Sequence, residues 1–124
     1  MNRLKGELYT IENAVISSEE YVFDLRLNPD SRIYGGHFPD NPITPGVCLL
    51  QIAVELCEDL TGHKCQLIGC RNIKYIQIIS PKDYLQIRYV INTSVTADGN
   101  LNVKLSVRSG DVIFTKMSIV LKEI

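Results

Sequence analysis

Between Pro45 and Leu60 the chain reads PGVCLLQIAVELCEDL, and Val47, Leu49, Leu50, Ile52, Ala53, Val54, Leu56 and Leu60 fall around most of a helical circumference. A helix apolar on this many sides cannot rest on a surface, so other elements must wrap it. Its expected length of about 17 residues corresponds to roughly 25 Å at the helical rise. Thr44 stands at the N-cap position, Pro45 at the first helical position, and Gly62 where a left-handed C′ residue belongs. Gln51, Glu55, Glu58 and Asp59 share one narrow polar stripe, which calls either for solvent along one edge or for a functional cleft.

The approach to this helix is HFPDNPIT, residues 37 to 44. Pro39, Pro42 and Pro45 each fix φ and bias the preceding residue away from helix, so the segment is expected to be stiff, extended and non-helical. His37 is then held at one end of a rigid arch, where it is either a packed turn residue or a catalytic, ligand-facing imidazole. At the other end the first amides of the helix lack internal partners and carry the positive end of its dipole. Gly46 has no side chain to block approach, so its N–H is a candidate donor to a ligand carbonyl, with close packing as the plainer alternative. Tyr34 and Phe38 flank the arch, to line a ligand cleft or to pack as ordinary aromatics.

The remaining sequence reads as strands. Residues 7–16 and 20–28 have strand character, the second alternating Tyr21, Phe23, Leu25 and Leu27 against Val22, Asp24 and Arg26, with a hairpin expected around Ser17 and Ser18. After the helix, residues 66–79 are rich in β-formers, residues 80–83 form a turn, and residues 84–96 make the next strand. Asp98-Gly99 and Ser109-Gly110 signal two further hairpins. A strand pair, one long helix and then four antiparallel strands predict an α+β fold in which a curved antiparallel sheet wraps the central helix. At 124 residues the chain has the length of a single domain, 1–124, with a respectable core.

Charge and cysteine usage exclude several function classes. With a net charge of −1 and no clustered basic run, nothing suggests a nucleic-acid or membrane-surface footprint. No apolar h-region follows Met1 and no run reaches membrane-spanning length, so a cytoplasmic protein is expected. Cys48, Cys57, Cys65 and Cys70 form no C-x-x-C pair and are expected to be reduced and buried; no metal site is expected. His63, just past the helix, reads as an exposed loop residue beside the negative end of the dipole.

HFPDNPITPG followed by an apolar helix resembles the signature of the 3-hydroxyacyl-acyl-carrier-protein dehydratases of fatty acid synthesis, FabZ/FabA-like proteins of the hotdog fold. NPDSRIYGG resembles that family's approach to the histidine, and IKYIQIISPKDYLQI its later strand, turn and strand, so the likeness spans residues 28 to 87. The resemblance implies a hydro-lyase that takes acyl thioesters on acyl carrier protein, works as a homodimer with shared active sites, and needs no cofactor. It places His37 as the base and Gly46 N–H on the thioester carbonyl. Phe38 and Tyr34 then become substrate-lining candidates.

One position departs from the family pattern. Fourteen residues after His37 the family carries Glu or Asp, and this chain has Gln51. An amide can hydrogen-bond a hydroxyl but cannot deliver a proton as a general acid. Glu55 stands one turn on, where many of these dehydratases carry Gln, so the expectation is that Glu55 supplies the missing carboxyl directly or through a water. Two alternatives follow: a thioesterase of the same fold, or a non-catalytic subunit that binds acyl chains or carrier protein. An acidic carrier calls for a basic patch, with Arg71, Lys74 and Lys82 as candidates.

Overall fold

The computed structural model describes residues 3–18, 20–35 and 40–124. His37 and Phe38 lie outside the described residues. In chain order the elements are β1 (Tyr9–Ile16), β2 (Tyr21–Leu27), a one-turn helix α1 (Arg32–Gly35), the long helix α2 (Gly46–Thr61), β3 (Cys65–Tyr75), β4 (Gln86–Val95), β5 (Leu101–Ser109) and β6 (Val112–Glu123). The six strands form one antiparallel sheet in the order β1-β2-β4-β5-β6-β3. This is the α+β hotdog arrangement, with α2 as the filling.

Strand alternation explains how the sheet closes on the helix. Side chains of one strand face alternate sides, so Phe23, Tyr89, Val107, Thr115 and Tyr75, which lie opposite one another across five strands, share one face. Leu25 and Ile87 belong to the same face, as do Ile91, Leu105 and Met117 in the next row. All of these except Tyr75, which stays exposed on the edge strand, are buried, and the apolar ones pack with Leu49, Ile52, Ala53, Leu56 and Cys57 of α2 in a continuous core. Ile52, Ala53, Leu56 and Cys57 lose nearly all contact with solvent, as expected of a helix apolar on most sides.

The ends of α2 differ in how well the sequence anticipated them. Gly62 has φ 74° and donates its N–H to Glu58 O, the expected left-handed stop. At the start, Pro45 is the capping residue and Gly46 the first helical residue; no side chain caps the helix. Thr44 is diverted from capping because its hydroxyl pairs with the buried Tyr34 hydroxyl at 2.9 Å. Its amide donates to Ile79 O at 2.8 Å, in a segment that has already left β3. Strand character at 76–79 therefore ends in a different structure from the expected one. Ile76 and Gln77 both donate to Phe114 O, and Ile79 then turns to hold the helix entrance.

Among the described residues no helix is long and apolar enough to cross a membrane, and no three His, Cys, Asp or Glu side chains are grouped to hold a metal ion. Cys48, Cys57 and Cys65 are buried as expected, but Cys70 is exposed, because β3 is an edge strand with most of both faces open. Burial raises the thiol pKa of Cys57 from 9.0 to about 12 and raises those of Cys48 and Cys65. In the native protein at pH 8, Cys70 should react rapidly with a disulfide reagent, and the other three only on unfolding. The unfolded chain gives up the Cys57 proton near pH 9 and the folded chain retains it to about 12. Stability should therefore fall as pH rises through that interval, an effect that urea titrations at pH 8 and 10.5 would resolve.

Candidate active site

The first turn of α2 opens into an apolar cleft of about 280 Å³ lined by Ile43, Gly46, Leu49, Tyr75, Ile76 and Ile78, among others. Cys48 and Leu49 both direct their N–H groups back to Pro45 O. The Gly46 amide has no acceptor among the described backbone groups, as expected of a first-turn donor. Tyr75 lies over it. A Cβ added at Gly46 would sit 2.6 Å from Tyr75 Cζ and 2.7 Å from its hydroxyl oxygen, so the missing side chain leaves room for that ring. Close packing thus gives this glycine a structural reason independent of any ligand. Tyr75 itself was missed as a cleft residue; the inward alternation of IKYIQ was the available signal.

Tyr34 sits on the other side of the arch. It is buried, its hydroxyl pairs with Thr44, and burial raises its pKa. Its ring lines a separate cleft of about 440 Å³ with Pro29, Pro42, Pro81, Lys82 and Leu85. Lys82 donates from Nζ to Asp40 O at 2.6 Å. Tyr34–Thr44 and Lys82–Asp40 together fix the far side of the arch to its surroundings, whichever way His37 faces.

Gln51 and Glu55 come together one turn further along α2. Gln51 Nε2 donates to Glu55 Oε2 at 3.0 Å. Glu55 is fully buried, and three further donors converge on its carboxylate: Leu4 N–H at 2.8 Å, Lys5 N–H at 2.9 Å and the Tyr9 hydroxyl at 3.1 Å. Arg3 Nε adds a charge at 3.7 Å, and Arg3 and Lys5 also reach Asp59. Tyr9 is held strongly in its neutral form by burial, then by the neighbouring Glu55 charge and hydrogen bond. The segment before β1 is therefore folded onto α2 by one buried carboxylate. On the α2 side Gln51 stands between Glu55 and the cleft, and on the other side the carboxylate meets Arg3 and Lys5. The alternative of a solvated Gln51–Glu55 stripe is excluded for Glu55, whereas Glu58 is half-buried and Asp59 exposed.

Gln51 is half-buried and belongs to a third cleft, about 580 Å³, with Arg3, Val47, Leu50, Val54 and Leu67. A single chain thus places Gly46 and Gln51 in different clefts. Val47, Leu67, Ile68, Tyr75, Ile76 and Ile78 are large apolar side chains left exposed along the α2 start, the β3 edge and the segment after it. Exposed apolar side chains beside an open strand edge mark a surface that another protein surface can cover.

A family model described as ApeI-like, an ApeI dehydratase, matches residues 13–115. A 3-hydroxyacyl-[acyl-carrier-protein] dehydratase FabZ from Legionella pneumophila is 29% identical over 79 residues, covering 55% of this chain and 53% of that protein. One from Thermoanaerobacter sp. is 31% identical over 67 residues, covering 48% of this chain and 47% of the other. The chain thus spans about half the length of the curated relatives it matches. Among solved structures, a chain of the dehydratase heterocomplex ApeI:P from Xenorhabdus doucetiae superposes with a TM-score of 0.72 at 18% identity, covering 90% of this chain and 96% of that one. An uncharacterized protein from Erwinia carotovora subsp. atroseptica gives a TM-score of 0.61 at 24% identity, covering 93% of this chain and 94% of the other. These likenesses show the shared fold.

The contact of Gly46 with Tyr75 can be measured. Gly46→Ala should destabilise the protein by about 1 kcal/mol, as a mildly overpacked site does. In a Tyr75→Ala background the same change should be neutral or stabilising, because Ala is the better helix residue. A double-mutant cycle by thermal melting, with no coupling between the two positions, would place the ring elsewhere.

Proposed function

The chain belongs to the ApeI-like dehydratase family, and from that footing we propose that it removes water from 3-hydroxyacyl thioesters carried on acyl carrier protein, giving trans-2-enoyl thioesters. The observation that carries this reading is the first-turn amide of α2 at Gly46, which has no backbone acceptor among the described residues and opens into an apolar cleft. An oxyanion developing on a thioester carbonyl would be stabilised there by the N–H and the helix dipole. The apolar walls suit an acyl chain; Tyr34 lines the separate cleft on the other side.

In this reading His37 takes the proton from C2, a step suited to an imidazole that is neutral over part of the physiological pH range. The C3–O bond then breaks and its electron pair leaves with the hydroxyl, which must gain a proton to depart as water. His37, carrying the proton from C2, is the donor we favour over Glu55, because Glu55 is buried behind Gln51 with its two oxygens occupied. Gln51 holds the hydroxyl in place. Gly46 and Gln51 lie in different clefts of one chain. A site completed by a second subunit across the exposed β3 edge fits this division, and it is the homodimer that the resemblance implies.

A second reading draws on the same departure. The neighbour from Xenorhabdus is part of a dehydratase heterocomplex, and a chain with an amide at position 51 could serve as the acid-lacking subunit beside an acid-bearing one. The two readings part in a direct assay. Intact-mass spectrometry of a 3-hydroxyacyl carrier protein incubated with this protein should show loss of one water, and the trans-2-enoyl form should gain one. Loss of the whole acyl group would point to thioester hydrolysis, and an unchanged mass both ways to the non-catalytic subunit.

The carrier's docking surface is proposed on the outer face of the sheet. Lys74 on β3 lies directly opposite Lys116 on β6, and Lys116 lies opposite Ser106 on β5, to which Arg108 also donates. Lys104 is on the same face, and none of these four cations is in an ion pair among the described residues. Like charges in register repel, so an acidic surface there is favoured. Lys82 is the weaker candidate, being engaged with Asp40 O. Raising salt from 50 to 300 mM should raise KM for the carrier-bound substrate severalfold and leave kcat nearly constant; Lys116→Glu should do the same at low salt. A KM indifferent to both would remove the carrier from this face.

A further inference from the structure

The hydrogen bond between Gln51 and Glu55 fixes a property that a glutamine by itself leaves open. A primary amide ends in an acceptor oxygen and a donor nitrogen of nearly equal shape, and its neighbours decide which faces where. An ionised carboxylate is acceptor-only, so the atom of Gln51 that sits 3.0 Å from Glu55 Oε2 is the NH2 group. The carbonyl oxygen is then the end turned away from Glu55, on the half-buried side that belongs to the cleft with Val47, Leu50 and Leu67.

Glu55 is in no position to reverse this. Leu4 N–H, Lys5 N–H and the Tyr9 hydroxyl hold its two oxygens from the far side, and the residue is fully buried. Among the described residues every group facing the carboxylate is a donor or a cation: two amides and Arg3 from the segment before β1, a phenol from β1, and Gln51 from its own helix. Turning the Gln51 amide over would set its carbonyl oxygen against a buried carboxylate, two acceptors with no proton between them. Such a loss biases the amide against the flip by tenfold or more.

We propose that Glu55 is a positioning residue that commits Gln51 to accepting, so that a hydrogen-bond acceptor stands where a proton-donating carboxyl is expected. The segment before β1 is part of the device, because it supplies two of the four donors that hold Glu55 still, the third coming from Tyr9 at the start of β1. The identity of the group that Gln51 receives rests on the dehydratase reading above: it is the O–H of the 3-hydroxyl, or of the water that adds in reverse. An oxygen that gives its hydrogen to Gln51 keeps its lone pairs free. As the C3–O bond breaks, one of them takes the proton that His37 removed from C2, and the oxygen leaves as water.

The orientation is testable without any substrate. In 1H–15N spectra of the labelled full-length chain, with the Gln51 side-chain signals identified by their loss in Gln51→Glu, its NH2 protons should exchange with solvent at least tenfold more slowly than those of the exposed Gln66. Glu55→Gln should reduce that protection to within about twofold of Gln66. A wild-type Gln51 amide exchanging as fast as that of Gln66 would overturn the proposal, and this measurement needs no variant to remain folded. The catalytic consequence is read separately with 3-hydroxyacyl carrier protein. Glu55→Gln should lower kcat at least tenfold with KM within twofold, and the exchange Gln51→Glu with Glu55→Gln should recover turnover. An unchanged kcat in Glu55→Gln would also overturn it. A protected amide in a protein that never turns over the substrate would sink the dehydratase reading and the substrate half of this proposal, while leaving the amide orientation established.

Discussion

A single buried carboxylate ties three parts of the chain together. Glu55 sits in the middle of a helix wrapped by a sheet, where an unpaired charge would cost several kcal/mol, and it is tolerated because donors reach it from the segment before β1, from β1 and from its own helix. The arrangement works in both directions. The donors neutralise Glu55, and Glu55 gives a short turn-forming segment, with Leu4 and Leu8 buried beside it, a fixed place against α2. Removal of either side would leave buried polar groups facing nothing.

The helix entrance follows the same logic with neutral groups. Thr44 bonds by its side chain to Tyr34 and by its amide to Ile79, so the end of the arch is fixed from two directions before α2 begins. Pro45 then starts the helix without a side-chain cap, and the first-turn amide at Gly46 stays available beneath Tyr75. A conventional threonine cap would have used that hydroxyl locally. Its diversion is the price of holding the arch, and it leaves the positive end of the dipole facing an apolar cleft.

Much of the fold was legible because its causes are local. Alternation in Tyr21–Leu27, the Asp98-Gly99 and Ser109-Gly110 turns and the left-handed Gly62 each depend on neighbours in sequence, and each appears where the sequence puts it. The short α1 helix, the departure of residues 76–79 from the sheet and the exposure of Cys70 were not legible. They depend on partners far away in the chain or on being at a sheet edge, which residue types do not encode.

The candidate site divides in the same way. The sequence alone determined that a helix apolar on most sides must be enclosed and that Gln51 and Glu55 lie one turn apart, because helical periodicity requires both; it put the helix start at Pro45, one residue before the observed first residue Gly46. Tertiary structure decided what those residues face. It laid Tyr75 over Gly46, gave Gly46 and Gln51 separate clefts, and buried Glu55 under a segment some 50 positions earlier in the chain. The physical reason is that a hydrogen-bonding group declares its chemistry in the sequence, while its partner, and hence its role as donor, acceptor or anchor, is set only when distant segments close around it.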